Sequence, residues 1–268
     1  MAAFITGDVH IKDFKDLCGW ANRMGLTMDD TVIVLGDHGV NFYLSWKDRD
    51  VKKKIERDCP CNIFVLRGNH DRRPEDVYAA PWHGDTYAGD YPRPKGEIDT
   101  WFEGRVWVEP TYPKIKHAID GEIYTIDGMK CLVIGGGYSV DKYYRLENGW
   151  TWIPNEQLND AEMETIFQTF KNNKVDIILS HVAPKIFHPW IEHTFMGGVD
   201  APIEDNMERW MDKLYWNEIQ DIKIHYFGHY HVNLNTGLAG VALYDIVIPF
   251  GERCPKEIGI EHYRQERL

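Results

Sequence analysis

Cysteine is scarce in this chain and carries no pattern. Cys18, Cys59, Cys61, Cys131 and Cys254 make an odd number, and none is spaced for a zinc finger or a C-x-x-C pair. Cys59-Pro60-Cys61 reads instead as a turn entering a strand. Free thiols suit a reducing compartment. Positive charge is also short: 30 Lys and Arg face 42 Asp and Glu, a formal charge of -12. That balance argues against a sequence-independent duplex-DNA binder, which wants a basic face, but is compatible with a small nucleotide or a locally basic pocket. Apolar runs long enough for a membrane span are missing. Met1 precedes a strand almost directly, so no signal peptide fits in front of it. Repeats, low-complexity tracts and linkers are missing as well. The expectation is a soluble cytoplasmic protein with no membrane partner, built as a single domain over residues 1–268, for which a hydrophobic content of 43% is ample.

What the chain does contain is five short polar clusters, each directly after an apolar run. Gly7-Asp8-Val9-His10 follows Ala2 to Thr6, and Gly36-Asp37-His38 follows Val32 to Leu35. Gly68-Asn69-His70-Asp71 follows Ile63 to Leu66, Ser180-His181 follows Val175 to Leu179, and Gly228-His229-Tyr230-His231 follows Ile222 to Phe227. Between them, Asp13 to Gly25 reads as a helix with Phe14, Leu17, Cys18 and Ala21 on one face, and Tyr43 to Asp58 as a charged helical crossover. This alternation implies parallel strands joined by right-handed crossovers, and in such sheets ligands sit beyond the carboxyl ends of strands, where the clusters fall.

The remaining segments are less regular. Residues 72–113 read as a loop-rich insertion whose aromatics, Trp82, Tyr87, Tyr91, Trp101, Trp107 and Tyr112 among them, either pack on the domain or wall the site. Glu122 to Ile126 and Lys130 to Ile134 read as a hairpin around Asp127-Gly128. Asn155 to Lys171 reads as a helix capped by Asn155, with Leu158, Met163, Ile166 and Phe167 inward. A second irregular insertion is expected near 187–211, a helix over Met207 to Gln220, and a strand near Val241 to Val247.

The clusters hold the chemistry of a two-metal centre, in which cations about 3.5–4 Å apart need a bridging anion and several neutral or anionic ligands. Asp37 is the natural bridge, because one carboxylate can give an oxygen to each cation. Asp8 and His10 are two residues apart at a strand end and can bend toward one ion, and His229 and His231 repeat that geometry. Asn69 offers a carbonyl oxygen and His181 an imidazole. Mixed N and O donors without thiolates favour Mn, Fe, Zn, Ni or Co over calcium, Mn²⁺ first.

The order GDVH, GDH, GNHD, SH and GHYH resembles that of the calcineurin-like metallophosphoesterases over most of the chain. The run GGGYSVDKYYR followed by SHVAP is similar to small single-domain bacterial and phage members. That resemblance implies a four-layer α/β/β/α sandwich of two mixed sheets flanked by helices, with metals above the strand ends. It implies Asp8, His10 and His231 on a first metal, Asn69, His181 and His229 on a second, and Asp37 between them. His70 would then be a catalytic histidine outside the coordination sphere, placed to stabilise the transition state or protonate the leaving alkoxide. One departure is GDHGVN, where many relatives have a further acidic residue; His38 and Asn41 stand there, and His38 is either a hydrogen-bond partner of the site or structural. The protein Ser/Thr phosphatase branch, with GDxxDRG and GNHE, is not matched.

The implied activity is hydrolysis of phosphoric esters by a hydroxide generated at the two metals. Asp71 either orients His70 or caps the next turn. Arg72, Arg73, Lys142 and Arg145 are candidate phosphoryl clamps, Arg145 first because it follows the Gly135-Gly136-Gly137 turn. A small phosphoester, monoester or diester and nucleotide-like on the evidence of the aromatics, is the expected substrate. Two other classes compete: a non-catalytic scaffold of the same fold, which would have lost His70 or several ligands, and a DNA nuclease, which would carry a basic groove.

Overall fold

A computed structural model describes residues 1–10, 14–79, 91–192, 204–216 and 221–255. The chain forms two mixed sheets. The first holds β1 (Ala3–Thr6), β2 (Thr31–Val34), β3 (Asn62–Val65), β4 (Glu97–Trp101), β5 (Gly104–Val108) and β6 (Ile115–Ala118). The second holds β7 (Ile123–Ile126), β8 (Met129–Ile134), β9 (Ile177–Ser180), β10 (Ile224–Phe227), β11 (Leu234–Asn235) and β12 (Gly240–Ala242), after which β13 (Ile248–Pro249) returns to the first. The strand orders are β13-β1-β2-β3-β6-β5-β4 and β11-β12-β10-β9-β8-β7. In each sheet four neighbouring strands are parallel, β1-β2-β3-β6 and β8-β9-β10-β12; the strands next to them, β13, β5, β11 and β7, run antiparallel, and β4 pairs antiparallel with β5 at the edge.

Side-chain alternation explains the layering. On β2, Ile33 faces the second sheet, where it joins Phe64, Tyr124, Val133, Leu179 and Tyr226 in the central core. Its neighbours Val32 and Val34 face the other way, onto α1 (Phe14–Arg23) and α2 (Trp46–Asp58), with Leu17, Ala21, Val51 and Ile55. The second sheet repeats the pattern: Leu132, Ile134 and Ile178 turn outward onto α5 (Asp160–Asn172) and onto Met207, Met211 and Leu214. Because both faces of both sheets are covered, central strands such as β2, β3, β9 and β10 are buried at every position and mostly apolar rather than alternating. The result is an α/β/β/α sandwich.

The inward face expected for the first helix, Phe14, Leu17, Cys18 and Ala21, is the buried face of α1; its expected start at Asp13 lies outside the described residues. The hairpin around Asp127-Gly128 is β7–β8, with both turn residues at positive φ. Other readings need correction. Residues 72–113 are not simply loop: they supply α3 (Pro74–Tyr78) and the β4–β5 hairpin, while Trp82 and Tyr87 lie outside the described residues. No local signal marks this hairpin: its two turn residues, Phe102 and Glu103, take φ of +51° and +62°. That conformation is normally announced by Asn or Gly.

Helix α5 starts at Asp160, not near Asn155. Its cap is Asn159, whose side chain accepts from the amides of Ala161 and Glu162 while Glu162 reaches back, a capping box. Asn155 instead donates to Asp76, and Phe170 rather than Phe167 is the fully buried aromatic of this helix. Of the strand expected near Val241 to Val247 only Val241 and Ala242 are strand, at the end of β12; residues 243–247 connect it to β13 in the other sheet. The helix expected from Met207 divides into α7 (Asn206–Met211) and α8 (Lys213–Trp216); residues 217–220 lie outside the described part, as do 193–203 of the second insertion. Among the described residues no helix is long and apolar enough to cross a membrane.

Candidate metal centre

The five clusters sit at the carboxyl ends of β1, β2, β3, β9 and β10. The first three strands are adjacent and parallel in one sheet, the last two in the other, so their exits meet over the seam between the sheets. A cross-sheet hydrogen bond closes that seam: His181 Nδ1 donates to the Leu35 carbonyl at 2.7 Å, while the Gly228 amide donates to the His181 carbonyl at 3.0 Å and ties the β9 and β10 exits together.

Backbone geometry at these exits is unusual. Asp8 and Asp37 both have φ of +49°, His229 +67° and His231 +52°. Positive φ is uncommon for residues other than glycine, and a cluster of such residues marks a place where the surroundings enforce strain. Glycine is required beside them for space. A Cβ on Gly36 would lie 2.3 Å from His181 Nδ1, and one on Gly68 would lie 2.2 Å from Asp37 Oδ1.

Asp8, Asp37 and His181, all buried, bring one ligand atom each within 4.8 Å of one another. Both carboxylate oxygens of Asp8 are buried without a hydrogen-bond partner. Asp37 Oδ1 accepts from the His70 amide at 2.9 Å and lies 3.5 Å from His181 Nε2. Burial, then the charge of Asp37, pushes the Asp8 carboxyl well above its usual range; burial, then Asp71, does the same to Asp37.

Asn69 Oδ1 lies 2.8 Å from His181 Nε2 and 3.0 Å from His229 Nδ1. The protonation of His181 makes that approach informative. Nδ1 carries the proton donated to Leu35, and burial holds the imidazole pKa well below its ordinary value. In the neutral ring Nε2 is therefore a bare acceptor facing another acceptor. An orphaned carboxylate, a carbonyl oxygen and an imidazole lone pair turned toward one another are the donor set of a divalent cation, and the residues fit such an ion.

The other expected residues are placed as follows. The rings of His10 and His231 meet edge to face at 5.8 Å, and His231 stacks on Tyr244 at 4.5 Å. The His70 ring packs edge-on against Phe42, and its Nε2 lies 3.5 Å from Arg145 Nη2. Burial and the nearby guanidinium hold the His70 pKa down to about 3. Arg145 lies on α4 (Lys142–Glu147), where its Nε donates to Asp141 at 2.7 Å. The other candidate clamps are engaged away from His70. Arg73 bonds Glu162 and the carbonyls of Asn155 and Gln157, Arg72 donates to the Phe42 carbonyl, and Lys142 pairs with Glu204.

Asp71 accepts from three backbone amides, Gly39 at 2.7 Å, Gly68 at 2.8 Å and His38 at 3.2 Å, so it ties the β2 and β3 exit loops together. Burial nevertheless raises its pKa to about 6. His38 is buried, accepts from the Val40 amide through Nδ1 and turns Nε2 toward Asp71 at 3.5 Å. Two residues not among the expected site residues stand behind Asn69: Ser139, which bonds it, and Glu156, which bonds Ser139. Ser139 falls within the GGGYSVDKYYR run, but neither belongs to the five polar clusters that point to ligands.

The family model described as calcineurin-like phosphoesterase matches residues 1–233. No curated protein matches the chain. A matched span that contains all five strand-exit clusters, on two mixed sheets flanked by helices, makes this chain a member of the calcineurin-like phosphoesterase family.

Proposed function

We propose that the chain hydrolyses phosphoric esters with two divalent cations, Mn²⁺ first among them. The observation that carries this reading is the buried convergence of Asp8, Asp37, Asn69 and His181 ligand atoms, with both Asp8 oxygens left without a hydrogen-bond partner. Asp8, His10 and His231 would hold one cation and Asn69, His181 and His229 the other, with Asp37 shared. When bound, such a pair supplies Lewis acidity and a water-derived nucleophile at neutral pH.

The chain's own residues do the rest. Asp71 fixes the two loops that carry Asp37 and Asn69, a positioning part rather than direct orientation of His70. The His70 imidazole stays neutral near pH 7, with its Nε2 3.5 Å from the Arg145 guanidinium. Arg145, braced by Asp141, presents a guanidinium to the incoming phosphoryl oxygens, and His70 serves the leaving oxygen. We further propose a single-domain cytoplasmic enzyme, akin to the small bacterial and phage members, acting on a small nucleotide-like ester.

The test is hydrolysis of p-nitrophenyl phosphate and its bis(p-nitrophenyl) diester by metal-stripped protein refilled with Mn²⁺. Turnover restored by the metal supports the reading, and the rate ratio assigns monoester or diester preference. Two cations bound per chain with no turnover of either ester, or of a nucleotide panel, overturns it in favour of the scaffold.

A further inference from the structure

Asn69 is asymmetric in what its two amide ends meet. Oδ1 faces the imidazoles of His181 and His229, whereas Nδ2 donates to Ser139 Oγ at 2.9 Å. The Ser139 hydroxyl in turn donates to Glu156 Oε2 at 2.5 Å, and the Ser139 amide donates to Glu156 Oε1 at 2.9 Å. Trp152 Nε1 donates to the same Oε2 at 2.9 Å. Asn69, Ser139 and Glu156 are each at most 3% exposed.

The three donors turned on Glu156, from Ser139 N, Ser139 Oγ and Trp152 Nε1, favour its ionised form against the burial that raises its pKa. An ionised carboxylate only accepts, so the Ser139 proton points at Glu156, and Ser139 Oγ is left to accept. The group it accepts from must be a donor, which is the Asn69 NH₂. Flipping that amide would set its carbonyl against the Ser139 oxygen. It would also turn an NH₂ toward the ring nitrogens, where a cation would have to sit.

We propose that Ser139 and Glu156 are positioning residues: they lock the amide flip of Asn69 so that its oxygen is presented as a metal ligand. The negative end of the chain also draws on the amide NH₂ and raises electron density on Oδ1, as outer hydrogen-bond partners of metal ligands do. Glu156 is itself anchored through its backbone: its carbonyl accepts from Arg67 Nη1 at 2.5 Å and from the Gly137 amide at 3.3 Å. Arg67 also bonds Asp120 and the Gly135 carbonyl. The glycine-rich turn therefore has a stated use: it brings Ser139 within reach of both Asn69 and Glu156.

The inference rests on the reading of Asn69 as a metal ligand, so its test reads metal binding, not turnover. Mn²⁺ titrations of the metal-free chain, followed by the EPR signal of free Mn²⁺, would compare the parent with Ser139→Ala, Glu156→Gln, the double variant and Ser139→Thr. The expected result is a loss of about 10–100-fold in affinity for one of two ions in both single variants. The double variant should lose no more than the worse single one, as members of one chain of bonds do. Ser139→Thr, which keeps the hydroxyl, should restore the parent isotherm. Two-step parent binding with superimposable isotherms for both single variants overturns the inference and leaves the site reading intact. A parent that binds no Mn²⁺ overturns both. Equal weakening of both steps, together with a lowered melting temperature of the metal-free variant, assigns Ser139 and Glu156 to the fold alone and also overturns it.

Discussion

Asp8→Asn should stabilise the metal-free protein while destroying the site. Asp8 is 2% exposed, neither oxygen has a well-formed hydrogen bond, and the nearby His229 amide only partly offsets burial and the charge of Asp37. Removing a poorly compensated buried charge without changing shape is worth about 1–4 kcal/mol. We expect roughly 2 kcal/mol, because the new amide is itself left with few partners. For a chain of this size that corresponds to a rise in melting temperature of about 4–8 °C.

The pH dependence follows from the raised pKa. Below the ordinary aspartate value of 3.8 the carboxyl is protonated in folded and unfolded chains alike, and the parent suffers no penalty. The penalty grows as pH rises through the higher folded value and is complete above it. The advantage of Asp8→Asn should therefore be largest at pH 7 and shrink toward pH 4. Saturating Mn²⁺ should reverse the order, since a ligand at 100 times its dissociation constant adds about 2.7 kcal/mol to the parent alone. Calorimetric melts of both proteins with and without Mn²⁺ would check this. An Asp8→Asn variant that melts at or below the metal-free parent at pH 7 refutes the argument that this carboxylate is held against its own electrostatics.

Asp37→Ala should remove both bound metal and turnover, read by metal analysis after gel filtration; a variant that keeps two ions is incompatible with a shared carboxylate. His70→Ala should retain metal and lose roughly 10²–10³ in kcat, the usual contribution of a hydrogen-bond donor aimed at developing charge; an unchanged kcat takes His70 out of the mechanism. Lys52→Met should cost about 3–5 kcal/mol, because it strands the buried Glu109 carboxylate that Lys52 contacts at 2.5 Å. It would also free Asn41, whose Oδ1 accepts from Lys52 at 2.7 Å beside the Asp37 loop. Adding Glu109→Leu should recover most of that loss in urea melts, and failure to recover would show that the pair is not the source.

How much of this was legible from sequence varied with the kind of signal. The first helix and the Asp127-Gly128 hairpin were readable because their determinants are local: an apolar stripe of period 3.6, and two residues suited to positive φ. The β4–β5 hairpin was not, because Phe102 and Glu103 adopt the same turn without turn chemistry; Phe102 packs against Phe64 and Trp101, so tertiary contacts override local preference. The start of α5 was misplaced for a related reason. Asn155 and Asn159 are both plausible caps, and the choice falls to Asn159 because Glu162 completes its box while Asp76, distant in sequence, engages Asn155.

Sequence alone determined the residue types of the centre and their place at strand ends, since a strand exit with Asp, Asn or His is a one-dimensional pattern. Tertiary structure decided how those residues are held. Only the packing of two sheets brings His181 to the Leu35 carbonyl, which sets its proton on Nδ1 and leaves Nε2 bare. The parallel pairing of β2 with β3 turns Asp71 onto the amides of two loops, and the packing of the sheets brings Arg145 to His70 across 75 residues of chain. Ser139 and Glu156 belong to the same class. Hydrogen-bond direction depends on which donor meets which acceptor in three dimensions, and no spacing rule along the chain encodes it.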